Sequence, residues 1–75
     1  MFLDCFGRGL VDGEDVIISL GKNSLHCGIV MEISDTDLKI ICQYWDGDRE
    51  YSRWKSFSCE KGATKQLQSV YKIMR

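Results

Sequence analysis

The run Leu38-Lys39-Ile40-Ile41-Cys42-Gln43-Tyr44-Trp45-Asp46-Gly47 decides the fold class. It is apolar, rich in β-favouring residues, and ends on Asp46-Gly47, where both positions tolerate positive φ and a tight hairpin is strongly favoured. A strand must therefore return from it, and Tyr51 to Ser58 fits. Upstream, Ser34-Asp35-Thr36-Asp37 reads as a polar connection to Leu25–Ile33, a second run that Gly28 interrupts, which predicts a bulge or sharp bend there. Further back, Val16, Ile18 and Leu20 alternate with Ile17 and Ser19, and Gly21-Lys22-Asn23-Ser24 supplies a turn. Consecutive strands joined by short turns pair antiparallel.

Outside this block the patterns weaken. Residues 1–14 contain Gly7, Gly9 and Gly13 and read as an irregular leader that lays Phe2, Leu3, Phe6 and Leu10 against the core. In residues 59–75, Ala63, Leu67, Val70, Tyr71 and Met74 fall at helical spacing, while Leu67, Ser69, Tyr71 and Ile73 alternate as a strand does. A closing strand over Ser69 to Met74 is the favoured reading, since Val70, Tyr71 and Ile73 prefer strands and an open sheet needs its edge covered; a short helix is the alternative. The whole chain is then one domain, with 1–14 as leader, 15–58 as core and 59–75 as closing element.

Five short strands, the second bent at a glycine, are the pattern of a small SH3-like barrel. Gly13-Glu14-x-Val16-x-Ile18-x-x-Gly21, followed by Gly28-x-Val30 and Ile33, resembles the KOW motif of NusG-type transcription factors and certain ribosomal proteins; Leu38-Lys39-Ile40 sits where those domains carry their next strand. The resemblance covers roughly residues 13–58. Tudor and Sm-like barrels are similar at greater distance. What it implies is a mainly β, five-stranded SH3-like barrel that docks on transcription or translation machinery.

Composition narrows the function classes. Seventy-five residues give a thin core, because a chain this short buries only roughly 60% of its unfolded surface, and a deep substrate cavity is not expected. No apolar run approaches the roughly 18 residues of a membrane span, and Met1-Phe2-Leu3-Asp4-Cys5 has an acid where a secretion signal carries bases, so the expected location is cytoplasmic. Cys5, Cys27, Cys42 and Cys59 show no metal-knuckle spacing, and in a reducing compartment they read as free thiols, with Cys27 and Cys42 as small buried hydrophobes. His26, beside Cys27, points to the other face of a strand and reads as a solvent-side residue, so no Cys-His dyad forms. With no phosphate loop, serine elbow or paired histidine ligands, the chain is expected not to be an enzyme and to need no cofactor or metal.

Charge and aromatics carry the functional expectation. Ten acids and four bases lie in residues 1–50, whereas residues 51–75 hold six bases against Glu60 alone. Either this asymmetry survives folding and meets a negative surface, or strands distant in sequence come together and cancel it. Tyr44, Trp45, Tyr51, Trp54 and Phe57 cluster around the hairpin, and alternation sets Trp54 opposite to Arg53 and Lys55. The expected partner-binding residues are Trp45, Arg49, Arg53, Trp54 and Lys55, the tryptophans as anchors and the bases as steering charges; the competing expectation is that both tryptophans complete the core. Their partner would be a protein or nucleoprotein complex, such as transcription or translation machinery or a host enzyme targeted by a phage- or mobile-element-encoded regulator or inhibitor. Single-stranded nucleic acid on the same residues is the alternative. A third reading is a Tudor-like cage for methylated residues from Tyr44, Trp45, Tyr51 and Asp48. Asp46, Asp48 and Glu50 lack the remaining ligands of a calcium loop and read as a solvated hairpin tip.

Overall fold

The computed structural model describes residues 1–21, 24–46 and 48–74, with the backbone alone over 44–46. Among the described residues seven strands follow one another: β1 (Phe2–Leu3), β2 (Asp15–Gly21), β3 (Ser24–Ile33), β4 (Asp37–Asp46), β5 (Arg49–Ser58), β6 (Lys65–Gln66) and β7 (Val70–Lys72). Four of them, β2 to β5, form the antiparallel meander that the apolar runs and the Asp-Gly hairpin foretell. The fifth member of the sheet, β7, returns to pair with β2, giving the order β5-β4-β3-β2-β7, the strand order of an SH3-like fold. Among the described residues there is no helix, so the helical alternative for the tail is set aside. The leader also holds a strand that sequence reading does not foresee, because β1 and β6 are two residues each; they pair in parallel.

Alternation within each strand sends one set of side chains into the core. Val16 and Ile18 of β2, Val30 of β3, Leu38, Ile40 and Cys42 of β4 and Val70 of β7 are fully buried, and Phe2 and Leu10 of the leader close over them with Leu67. Burial pushes the Cys42 thiol up from its ordinary pKa, against the opposing pull of Lys55 and Arg53, so it is an inert core group. Gly28 lies on this inner face, but the register there is regular; the irregularities fall between Ser19 and Gly21 and between Val30 and Glu32. What Gly28 provides is room: a Cβ at this position would meet Ile40 Cγ2 at 2.8 Å and the Ile41 carbonyl at 3.1 Å. The bend expected at the glycine is thus a close approach across β3 and β4, while bulges at Leu20 and Met31 supply the coiling.

Three further expectations are corrected. Cys27 is exposed on the outer face opposite Ile17, and His26 is half-buried on the inner face opposite Ile18, where its Nε2 hydrogen-bonds Ser24 Oγ. The strand alternates as expected, but with the two facings exchanged. Phe6 is 70% exposed; instead of entering the core its ring meets Tyr71 edge-on at 5.6 Å.

The leader is held by Asp4, whose side chain is completely buried. Its Oδ1 accepts the Phe6 and Arg8 backbone N–H groups at 3.0 and 2.8 Å, and its Oδ2 accepts Arg8 Nε at 2.9 Å and the Lys72 backbone N–H at 3.0 Å. Arg8 Nη2 in turn donates to the Lys72 carbonyl at 2.8 Å, and its guanidinium lies 5.0 Å from the Tyr71 ring centre. Burial alone would raise the Asp4 pKa, but the hydrogen bonds from Arg8, Lys72 and Phe6 outweigh it and hold the carboxyl at about 2. Lys72 Nζ also pairs with Glu14 at 2.9 Å, so one tail base is neutralised by the acidic half of the chain.

Two stability predictions follow from these contacts. Gly28→Ala forces Ile40 or the β4 backbone to shift and costs about 1–3 kcal/mol, measurable as a thermal midpoint lowered by roughly 4–8 °C per kcal/mol. Asp4→Asn removes the charge that the Arg8 fork and the Lys72 N–H address and costs about 3 kcal/mol. Because the folded pKa lies below the ordinary 3.8, this stabilisation is complete above about pH 5 and fades as pH falls through 3.8 towards 2. Urea titrations should show the gap between wild type and Asp4→Asn constant near neutrality and narrowing over that acidic window.

Candidate functional site

Strand β5 is one edge of the sheet and nearly all of it is exposed. It pairs with β4 over ten uninterrupted positions, from Asp37 opposite Ser58 to Asp46 opposite Arg49. That register assigns its faces. Phe57 lies opposite the core residue Leu38, Lys55 opposite Ile40 and Arg53 opposite Cys42, so the odd-numbered side chains stand on the core side, Arg49 among them. Phe57 packs against the core, and Lys55 Nζ sits 5.9 Å from its ring centre. Trp54 lies opposite Ile41 and faces the other way, onto the outer surface of the sheet, with 55% of its surface exposed.

The five residues expected to bind a partner are therefore divided. Arg49, Arg53 and Lys55 share one side of β5, while Trp54 is on the other. Trp54 is not a core residue. The Trp45 backbone pairs with Glu50; the side chains of Trp45 and Tyr44 lie outside the described residues, and with them the aromatic cage, of which Tyr51 is half-buried and Asp48 exposed.

Sequence reading missed what surrounds Trp54. Across the outer face the register sets Trp54, Ile41 and Ile29 side by side, with Cys27, Ile17 and Tyr71 in the next row. Ile29 and Tyr71 are 37% and 39% exposed, although a sheet face turned to water normally carries polar groups. A groove of about 350 Å³ between Glu32, Lys39, Trp54 and Ser56 flanks the indole, and a smaller hollow of about 160 Å³ opens over Cys27, Ile29 and Ile41. The signal was present in the β-branched residues that fall between the core positions, Ile17, Ile29 and Ile41, which an amphipathic strand would not need.

Such a surface can be covered by a partner. All four cysteines are free, and among the described residues no three His, Cys, Asp or Glu side chains gather to hold a metal ion. Nor is any helix of the described residues long and apolar enough to cross a membrane.

In comparison with known proteins, the model of a family described as "Domain of unknown function (DUF7205)" fits residues 2–61. No curated protein and no solved structure matches. The matched segment takes in Asp4, Arg8, Gly28 and all of β2 to β5, well over half of the chain. The chain belongs to the DUF7205 family.

Proposed function

We propose that the chain is a non-catalytic interaction module that docks on a larger protein through β5 and the outer face of its sheet, with Trp54 as the anchor. One observation carries this reading: a tryptophan more than half exposed beside Ile41 and Ile29 on a solvent-facing sheet. An aromatic side chain amid apolar neighbours, with a rim of charge such as the Glu32–Lys39 pair, is the usual make-up of an interface anchor. The KOW-like spacing favours a partner in transcription or translation machinery, and the free thiols suit a reducing cytoplasm. Modulation of such a partner is a role that a small β domain without a deep cavity can fill.

Binding to single-stranded nucleic acid is less well supported. A strand whose bases stack on Trp54 while its phosphates meet Arg53 and Lys55 would have to straddle the sheet edge, because these side chains stand on opposite sides of β5.

The test is affinity capture from lysate with wild type and Trp54→Ala. The proposal expects a defined protein partner whose capture falls about 30-fold in the variant, the scale of a 2 kcal/mol anchor, while the thermal midpoint is unchanged. Equal capture by the variant contradicts it. So does an oligonucleotide affinity at low salt that collapses as salt rises, since counterion release then drives binding.

A further inference from the structure

The two edges of the sheet differ in a way that concerns their backbone. At β7 the outward-facing groups are all occupied. The Val70 N–H donates to the Leu67 carbonyl and its carbonyl accepts the Cys5 N–H at 2.7 Å. The Lys72 N–H donates to Asp4 and its carbonyl accepts Arg8. A carboxylate and a guanidinium stand there in place of a further strand.

At β5 the position is reversed. The Cys59 N–H donates inward to the Thr36 carbonyl at 2.8 Å, just past the last β5 residue. Since the register is unbroken, the odd-numbered residues turn their backbone groups to β4 and the even-numbered ones turn theirs outward. Lys65 Nζ takes the Ser58 carbonyl at 3.0 Å. Beyond that point Ser56, Trp54 and Ser52 present N–H and C=O groups to which no described residue is bonded, and no described strand lies outside β5. Ten residues is long for an edge left in this state.

We propose that the outward edge of β5 is a strand-addition site for an extended segment of a partner protein that alternates acidic and apolar residues. Donor and acceptor pairs repeated every second residue, roughly 6.8 Å apart, match the backbone of another extended peptide. The side chains set its sequence. On the core side of the edge an incoming strand lies beside Arg53 and Lys55, with Arg49 further along, so carboxylates belong there; on the outer side it lies beside Trp54, where an apolar residue continues the patch formed with Ile41. Opposite charges paired across strands are stabilising, and like charges are not. A second copy of the chain is disfavoured for that reason. Antiparallel pairing of two β5 strands centred on Trp54 sets Arg53 against Lys55 of the other copy, and shifting the register by two brings Arg53 against Arg53 or Lys55 against Lys55.

This inference rests on the docking role proposed above and names the chemistry of the partner. Its test uses a capped seven-residue peptide alternating glutamate with valine, titrated into the intact 15N-labelled protein. Expected are amide shifts concentrated at Ser52, Trp54 and Ser56, slowed hydrogen exchange at those three amides, and at least tenfold weaker binding when lysine replaces glutamate. Methylating the peptide nitrogens that face β5 keeps every side chain but removes the donors, and should also weaken binding at least tenfold. Ser56→Pro in the protein deletes an outward donor at an edge where proline is tolerated, and should do the same without loss of fold. Undiminished binding by the N-methylated peptide overturns strand addition while leaving docking through Trp54 intact. No shift at millimolar peptide, or a concentration-dependent dimer that Ser56→Pro abolishes, overturns it as well.

Discussion

Every N–H and C=O at the side of a sheet must find a partner in protein or water, and in a five-stranded sheet only the two outermost strands face this demand. The closing strand β7 is three residues long and gains little from its own pairing with β2. Asp4 and Arg8 complete it by supplying an acceptor and a donor to the outward groups of Lys72, with a fully buried carboxylate whose charge is matched by Arg8 and by three backbone N–H groups. The leader thus acts as a cap on the sheet. Phe2 and Leu10, carried by the same segment, close the core beneath it, so the fixing of the leader and the burial of apolar area depend on each other.

Because that edge is closed, the outward backbone groups left without a described partner lie at the other. The β4–β5 hairpin is the longest pairing in the molecule, and its outer strand touches the core chiefly through Phe57. Most of the other β5 side chains are exposed, and strand geometry sorts them: bases on one side, the indole on the other. A partner able to use both must reach around the edge, as an added strand does by construction.

Much of the fold was legible in the sequence. The Asp46-Gly47 dipeptide, the apolar runs and the β-branched tail around Val70 gave the meander and its closing strand. The glycine interruption at Gly28 marked a real constraint but of another kind, since spacing alone cannot separate a bulge from a close approach to a residue twelve positions away. Alternation predicted that His26 and Cys27 point apart but not which enters the core, because neither is strongly apolar and the answer depends on the register with Ile17 and Ile18. The Asp4 clamp was invisible: an acid among glycines in a leader looks solvated, and its partners are the next turn of the leader and a strand 68 positions distant. At the candidate site, alternation separated the facing of Trp54 from that of Arg53 and Lys55, whereas whether the tryptophan is exposed or core was left open, because burial depends on which face of β5 packs on the core. It did not show the apolar row of Ile41 and Ile29 beside Trp54, which arises only when three strands come into register.

Hydrogen exchange of individual backbone amides in the free protein is the most direct measure of one sealed edge and one open edge. The N–H of Lys72 should be protected along with those of Arg53, Lys55 and Phe57, which face β4, while those of Ser52, Trp54 and Ser56 exchange at rates close to an unprotected chain. Uniform protection along β5, or an unprotected Lys72 amide, would contradict the account.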